Sequence, residues 1–167
     1  MSDPCQTHAA YPSDRELILT RVYDAPPALL FSVWTDPKHL VRWWGPNDFT
    51  LPHCEQDFRV GGSYRFCMRS PDGEDYWVSG VYREIVEPER IVFTWGRPVQ
   101  EDRFHGESVV TVTFDDLGGK TKLTLHHAGF ERVPDRDEHR GGWTECLERL
   151  AGFVAAIDEN SSTGTGS

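Results

Sequence analysis

Lysine and arginine are in short supply in this chain: 17 of them face 27 aspartates and glutamates across 167 residues, a formal net charge of −10. A protein that holds a phosphate backbone or an anionic bilayer needs clustered cations, so nucleic acid and membrane surfaces are excluded as partners. Cysteine is scarce as well. Cys5, Cys54, Cys67 and Cys146 form no C-x-x-C pair, which argues against a zinc site, and no other metal is expected. No apolar run is long enough to cross a bilayer, and Met1 to Ala10 lack the apolar centre of a secretory signal. The expectation is a cytoplasmic protein with reduced thiols, in which a Cys54–Cys67 disulfide is not expected. Neither a nucleophile elbow nor a phosphate loop occurs, and no cofactor is expected.

Aromatic side chains are plentiful: six Trp, nine Phe and five Tyr. Most fall in stretches with strand or helix patterning. The length suits one domain with a sizeable core, expected over residues 15–158 between a loose arm (1–14) and a flexible tail (159–167). The strongest pattern lies near the end. Trp143, Leu147, Leu150, Val154 and Ile157 follow one another at spacings of four, three, four and three residues, one stripe of an α-helix, with Cys146 and Phe153 at its edge. Asp135, with Glu138 three residues on, predicts the helix start, and Asn160 with the Ser/Thr/Gly tail predicts its end. Each large side chain buried there contributes roughly 1.5–3 kcal/mol, so a broad apolar surface must lie opposite.

The preceding chain supplies that surface. Glu16–Tyr23 reads as a strand, Pro27–Thr35 as a short helix opened by proline, and Asp36-Pro37 starts a second short helix to about Trp43. Further strands are predicted at Phe49–Val60, Tyr64–Ser70, Asp75–Val86, Arg90–Trp95, Glu107–Asp115 and Lys120–His127, separated by turn-forming Gly, Pro and Asp. The result is an α+β fold: a curved antiparallel sheet of about seven strands packed on a long C-terminal helix, with two short helices after the first strand. Alternation places Tyr64, Phe66 and Met68 on one face, and Val110, Val112, Phe114, Leu123, Leu125 and His127 inward. A loop of about three residues at Gly61-Gly62 would then set Phe58 beside Tyr64 or Phe66. The same parity turns His53, Glu55 and Asp57 outward, and His126 away from His127.

Trp34-Thr35-Asp36-Pro37, Trp43-Trp44-Gly45-Pro46 and Arg59-Val60-Gly61-Gly62 resemble motifs of the START-like helix-grip (SRPBCC) superfamily. Within it the chain is most similar to the branch named after the activator of heat-shock-protein-90 ATPase. Gly80-Val81-Tyr82-Arg83-Glu84-Ile85, Pro88 to Trp95, Leu123 to His127 and Gly142-Trp143 extend the match in order from Glu16 to Ile157. The resemblance implies a helix-grip sheet with a cavity between sheet and C-terminal helix. Its walls would come from Trp44, Phe58, Tyr64, Phe66, Met68, Phe93, Trp95, Val110, Val112, His127, Trp143, Leu147 and Leu150, or these residues fill a dry core.

A small apolar or aromatic ligand is the leading partner, with Trp44 and Trp143 guarding or flooring the pocket and His127 as polar anchor. The resemblance leaves two other readings: a domain that stimulates a chaperone ATPase, and a cyclase- or hydrolase-type enzyme using His127 or the His53–Glu55–Asp57 row. Monomer and homodimer both stay open. The polar stretch Gly96–Gly106 would either gate an entrance or form a surface connection. Gly141-Gly142 within the helix suggests close backbone approach, or a helix that starts after them.

Overall fold

The structure, a computed structural model, describes residues 6–96, 108–130 and 132–165. Among these residues eight strands form one antiparallel sheet: β1 (His8–Ala10), β2 (Glu16–Tyr23), β3 (Thr50–Gln56), β4 (Ser63–Arg69), β5 (Asp75–Val86), β6 (Arg90–Trp95), β7 (Ser108–Asp116) and β8 (Thr121–Ala128). Their order across the sheet is β1-β2-β8-β7-β6-β5-β4-β3. Helices α1 (Pro27–Thr35) and α2 (Pro37–Trp43) follow β2, and α3 (Val133–Thr165) ends the chain. The expected helix-grip α+β architecture is present, with one strand more than the seven expected. The extra strand is β1, in which His8, Ala9 and Ala10 pair with Thr20, Leu19 and Ile18.

Alternation builds the inner face. Leu17, Leu19 and Tyr23 of β2 are buried, as are Val110, Val112 and Phe114 of β7 and Leu123, Leu125 and His127 of β8. Register lines them up in rows: Leu17 and Val110 flank His127, Leu19 and Val112 flank Leu125. On the opposite face of β8, His126 meets Glu16 at 2.9 Å, so the two histidines point apart as alternation requires. Over the inner face lies α3, whose Trp143, Cys146, Leu147, Leu150 and Val154 are buried. Tyr23 donates its hydroxyl to the Leu147 carbonyl at 2.9 Å, locking strand to helix.

The grip depends on β5. Its first half pairs with β4 and its second half with β6, so the sheet turns along this one strand. Gly80 sits at the turn. A Cβ there would lie 2.0 Å from the Thr94 carbonyl oxygen, so only glycine lets the two strands approach this closely.

Three boundaries differ from expectation by more than one residue. β3 stops at Gln56 rather than Val60, and the connection to β4 covers Asp57–Gly62 instead of about three residues. Phe58 therefore leaves the strand, yet its ring still packs on Tyr82 at 5.0 Å and Phe31 at 6.1 Å. The chain turns early because Asp57 closes onto Ser63 and Gly61 bonds across to Tyr82, drawing the loop toward β5. Helix α3 starts at Val133, before Asp135, and continues to Thr165 past Asn160; Gly141 and Gly142 lie inside it. Most of the Gly96–Gly106 stretch lies outside the described residues.

Candidate functional site

Two helix ends and one sheet end meet around Trp44. Asp36 caps α2 by accepting from the Lys38 amide at 2.9 Å, and Trp43 donates its indole N–H to the Val33 carbonyl at 3.1 Å, fixing α2 on α1. Trp44 then leaves the helix in extended conformation, and Gly45 turns the chain with φ +105°, a value side-chain-bearing residues rarely adopt. One turn of α3 holds this corner. Cys146 accepts from the Gly45 amide at 3.4 Å, Glu145 from the Asn47 amide at 2.8 Å, and Arg149 Nη1 donates to the carbonyls of Trp44, Gly45 and Pro46 at 2.9–3.3 Å. Burial pushes the Cys146 thiol up to about 12, so it stays neutral at ordinary pH.

Beside the corner opens a cleft of about 480 Å³ between the β4–β6 end of the sheet and the first turns of α3. Trp44, Trp95 and Trp143 line it together, one from the corner, one from β6 and one from α3. Their rings contact one another: Trp95 and Trp143 at 4.9 Å, Trp44 and Trp143 at 5.5 Å and 87°. Phe49, Met68 and Tyr76 form the wall opposite the helix, and Glu138, His139 and Glu145 add polar groups. Gly141 and Gly142 border the same space. A Cβ on Gly142 would come only as near as 3.8 Å to Pro46, and one on Gly141 would meet nothing within 4 Å. Close backbone approach therefore does not explain these glycines; they leave the cleft open on its helix side.

His127 lies outside the cleft. It is fully buried, and both of its ring nitrogens are engaged. Trp143 Nε1 approaches Nδ1 at 3.1 Å, Ser108 Oγ approaches Nε2 at 2.7 Å, and Ser108 Oγ donates to the Trp95 carbonyl at 3.1 Å. An indole N–H can only donate, so Nδ1 must accept and the neutral ring carries its proton on Nε2. Nε2 then donates to Ser108, and Ser108 donates onward. The chain runs in one direction from Trp143 to Trp95 and joins two walls of the cleft from behind. It also deprives Ser108 of a base: the imidazole nitrogen facing its hydroxyl already holds a proton. The indole N–H groups of Trp34 and Trp95 have no hydrogen-bond partner among the described residues and are sealed from solvent.

A family model described as "Activator of Hsp90 ATPase homolog 1-like protein" matches residues 24–155. The chain belongs to this family. Among solved structures it is similar to the AHSA1 protein of Silicibacter pomeroyi, with 31% identity and a TM-score of 0.78, over 85% of this chain and 99% of that one. A protein of Chromobacterium violaceum gives 28% identity and a TM-score of 0.78, over 85% and 98%. CalU16 of Micromonospora echinospora gives 25% and 0.65, over 96% and 93%. Among curated protein sequences none matches significantly.

The expected wall residues divide in three. Trp44, Met68, Trp95 and Trp143 border the large cleft. Phe58, Tyr64, Phe66 and Phe93, again with Trp44, surround a space of only about 20 Å³ and are in effect core. Val110, Val112, Leu147, Leu150 and His127 are wholly buried and touch neither space. Sequence reading missed Phe49, Tyr76, Trp77, Glu138, His139 and Glu145. Tyr76 was within reach, since it shares strand parity with inward Val78 and Tyr82 and pairs with Met68.

The outward row stays outward where it is in strand. Glu55 pairs with Arg65 and His53 with Cys67, and His53 and Glu55 meet at 3.1 Å with Trp77 and Arg65 close by. Cys54 lies opposite Phe66 while Cys67 lies opposite His53, so the two thiols are on different faces and both are free. Among the described residues no three His, Cys, Asp or Glu side chains gather as metal ligands, and no helix is long and apolar enough to cross a membrane.

Proposed function

We propose that this protein binds a small, mainly apolar ligand in the cleft between the β4–β6 end of the sheet and α3. The observation that carries the reading is the cleft itself: about 480 Å³, within the usual span of small-molecule sites, and walled by three tryptophans in mutual contact. Stacking against these indoles needs little side-chain ordering, because the three rings pack on one another, His127 holds the Trp143 indole N–H, and Arg149 and Ser108 fix the backbone carbonyls of Trp44 and Trp95. The ligand would replace water from an open cleft, so no sealed void has to be sustained without it.

The chaperone reading rests on the family's description alone. The enzyme reading through His127 meets the tautomer argument above, and through His53 and Glu55 it lacks a cavity, since these side chains lie on the outer face. Intrinsic tryptophan fluorescence titrated with small aromatic compounds tests the proposal, with native mass spectrometry to count bound molecules. Saturable binding that Gly142→Leu abolishes, by filling the cleft, is the expected result. Binding unaffected by Gly142→Leu, or absent for every compound, would overturn it.

A further inference from the structure

We propose that residues 133–142, the start of α3, form a movable wall of the cleft, and that Arg136 latches this wall onto the N-terminal segment in the position that admits a ligand. The proposal rests on the cleft being a binding site and specifies what controls it. Glu138, His139, Gly141 and Gly142 border the cleft from this part of the helix. Yet no side chain from 133 to 142 is fully buried; the first that is belongs to Trp143. A stretch this short, with two adjacent glycines and no buried apolar side chain, makes a poor helix by itself. Contacts from elsewhere must hold it.

Arg136 supplies such a contact without bordering the cleft itself. Its side chain is only 12% exposed. The guanidinium lies 4.2 Å from the centre of the Tyr11 ring, Nη1 donates to the Ser13 carbonyl at 3.1 Å and stands 4.0 Å from Asp14, and Nε and Nη2 donate to Asp137. The segment that receives Arg136 is braced on β8. The Arg15 carbonyl accepts from the Gly129 and Phe130 amides at 3.1 and 3.2 Å, and Glu16 meets both the Ser13 hydroxyl and His126 at 2.9 Å. Phe130 in turn packs on His127 at 4.3 Å and on His139 at 5.1 Å, so the latch is continuous with the groups behind the cleft. From Trp143 onward the helix is fixed by its buried stripe and by Tyr23 and Arg149. Release of Arg136 therefore frees the wall and not the whole helix, with the hinge at Gly141 and Gly142, where helix propensity is lowest.

Residue-resolved hydrogen exchange on the full chain, together with calorimetric titration of 4-tert-butylphenol, tests the latch. Arg136→Met keeps the stem and removes the charge and the donors. Exchange at residues 137–142 is expected to quicken about tenfold while 147–154 exchange as before, and affinity for the phenol to fall about tenfold because the competent wall is less populated. Tyr11→Ala leaves α3 itself unaltered and should shift both readouts the same way by less; it carries the test if Arg136→Met does not fold. Arg136→Lys, which keeps a cation for the Tyr11 ring, should recover part of the loss. Arg140→Met, which removes an exposed charge from the same stretch, should change neither readout. Exchange unchanged at 137–142, or quickened equally at 147–154, overturns the latch, and so does quickened exchange with unchanged affinity. If the unsubstituted protein fails to bind 4-tert-butylphenol, that counts against the cleft as a site, while exchange still decides whether Arg136 holds the wall.

Discussion

The aromatic layer under the sheet has two ends made of the same kinds of side chain, and they finish in opposite states. At one end Tyr64, Phe66, Tyr82 and Phe93 close around about 20 Å³. At the other, Trp44, Trp95 and Trp143 border about 480 Å³. The neighbours make the difference. Trp34 and Phe58 press into the closed end, and Tyr64 and Tyr82 anchor their hydroxyls on Thr94 and Gln56 at 2.6 and 2.9 Å. At the open end the facing element is the start of α3, where two consecutive glycines withhold side chains from the gap. Aromatic content alone therefore says little about where a cavity forms.

The largest contrast is expected from truncating one ring at each end. Phe93→Ala, in the closed cluster, should cost about 3–5 kcal/mol, the range for emptying a packed aromatic site. Phe49→Ala, on the half-exposed wall of the cleft, should cost under about 1 kcal/mol. Urea denaturation of the two variants checks this, and similar losses would mean that the ends are packed alike.

Next in size is the chain behind the cleft. Trp143→Phe keeps a ring but removes the N–H that His127 Nδ1 accepts, leaving a buried acceptor unpaired at a cost of about 1–3 kcal/mol. In this variant the imidazole is also free to place its proton on either nitrogen, which the ¹⁵N shifts of the ring report directly. Unchanged shifts would remove the directional reading of the chain.

Cys146 ties cleft and core together and gives an alkaline signature. Burial raises its thiol from 9.0 to about 12, so above pH 9 the unfolded chain ionises while the folded one does not. The unfolded state then binds fewer protons and stability falls with rising pH, by up to about 1.4 kcal/mol per unit until the folded thiol itself ionises. Cys146→Ala should flatten that part of the stability profile; an identical alkaline slope would show that the thiol is not the source.

The smallest effect has the opposite sign. Gly142→Ala has room for its methyl group and improves helix propensity, so the variant should be more stable by up to about 1 kcal/mol. Thermal melting tests this, and a lower melting temperature would mean that the glycine is needed for packing after all.

How much could be read beforehand differs between fold and site. Leu123, Leu125 and His127 declared an inner face through period-two spacing, and Trp143, Leu147, Leu150 and Val154 a helical stripe, because both signals are local. The same logic put Val110, Val112, Leu147 and Leu150 on the correct side but could not tell a wall from a filling, since parity gives direction and not distance. Phe58 shows another limit: its strand ended early because Asp57 and Gly61 found partners on Ser63 and Tyr82, contacts made only in the folded sheet.

The sequence by itself determined the order of elements, the face each strand buries and the long amphipathic helix that the sheet must cover, because periodicity and turn chemistry act between near neighbours. Only the tertiary structure decided where space was left. That depended on how β5 bends at Gly80, on the corner at Gly45 held by Arg149, and on His127 being drawn behind Trp143 instead of into the cleft. Such volumes are small differences between surfaces brought together from distant parts of the chain, and no local pattern encodes them.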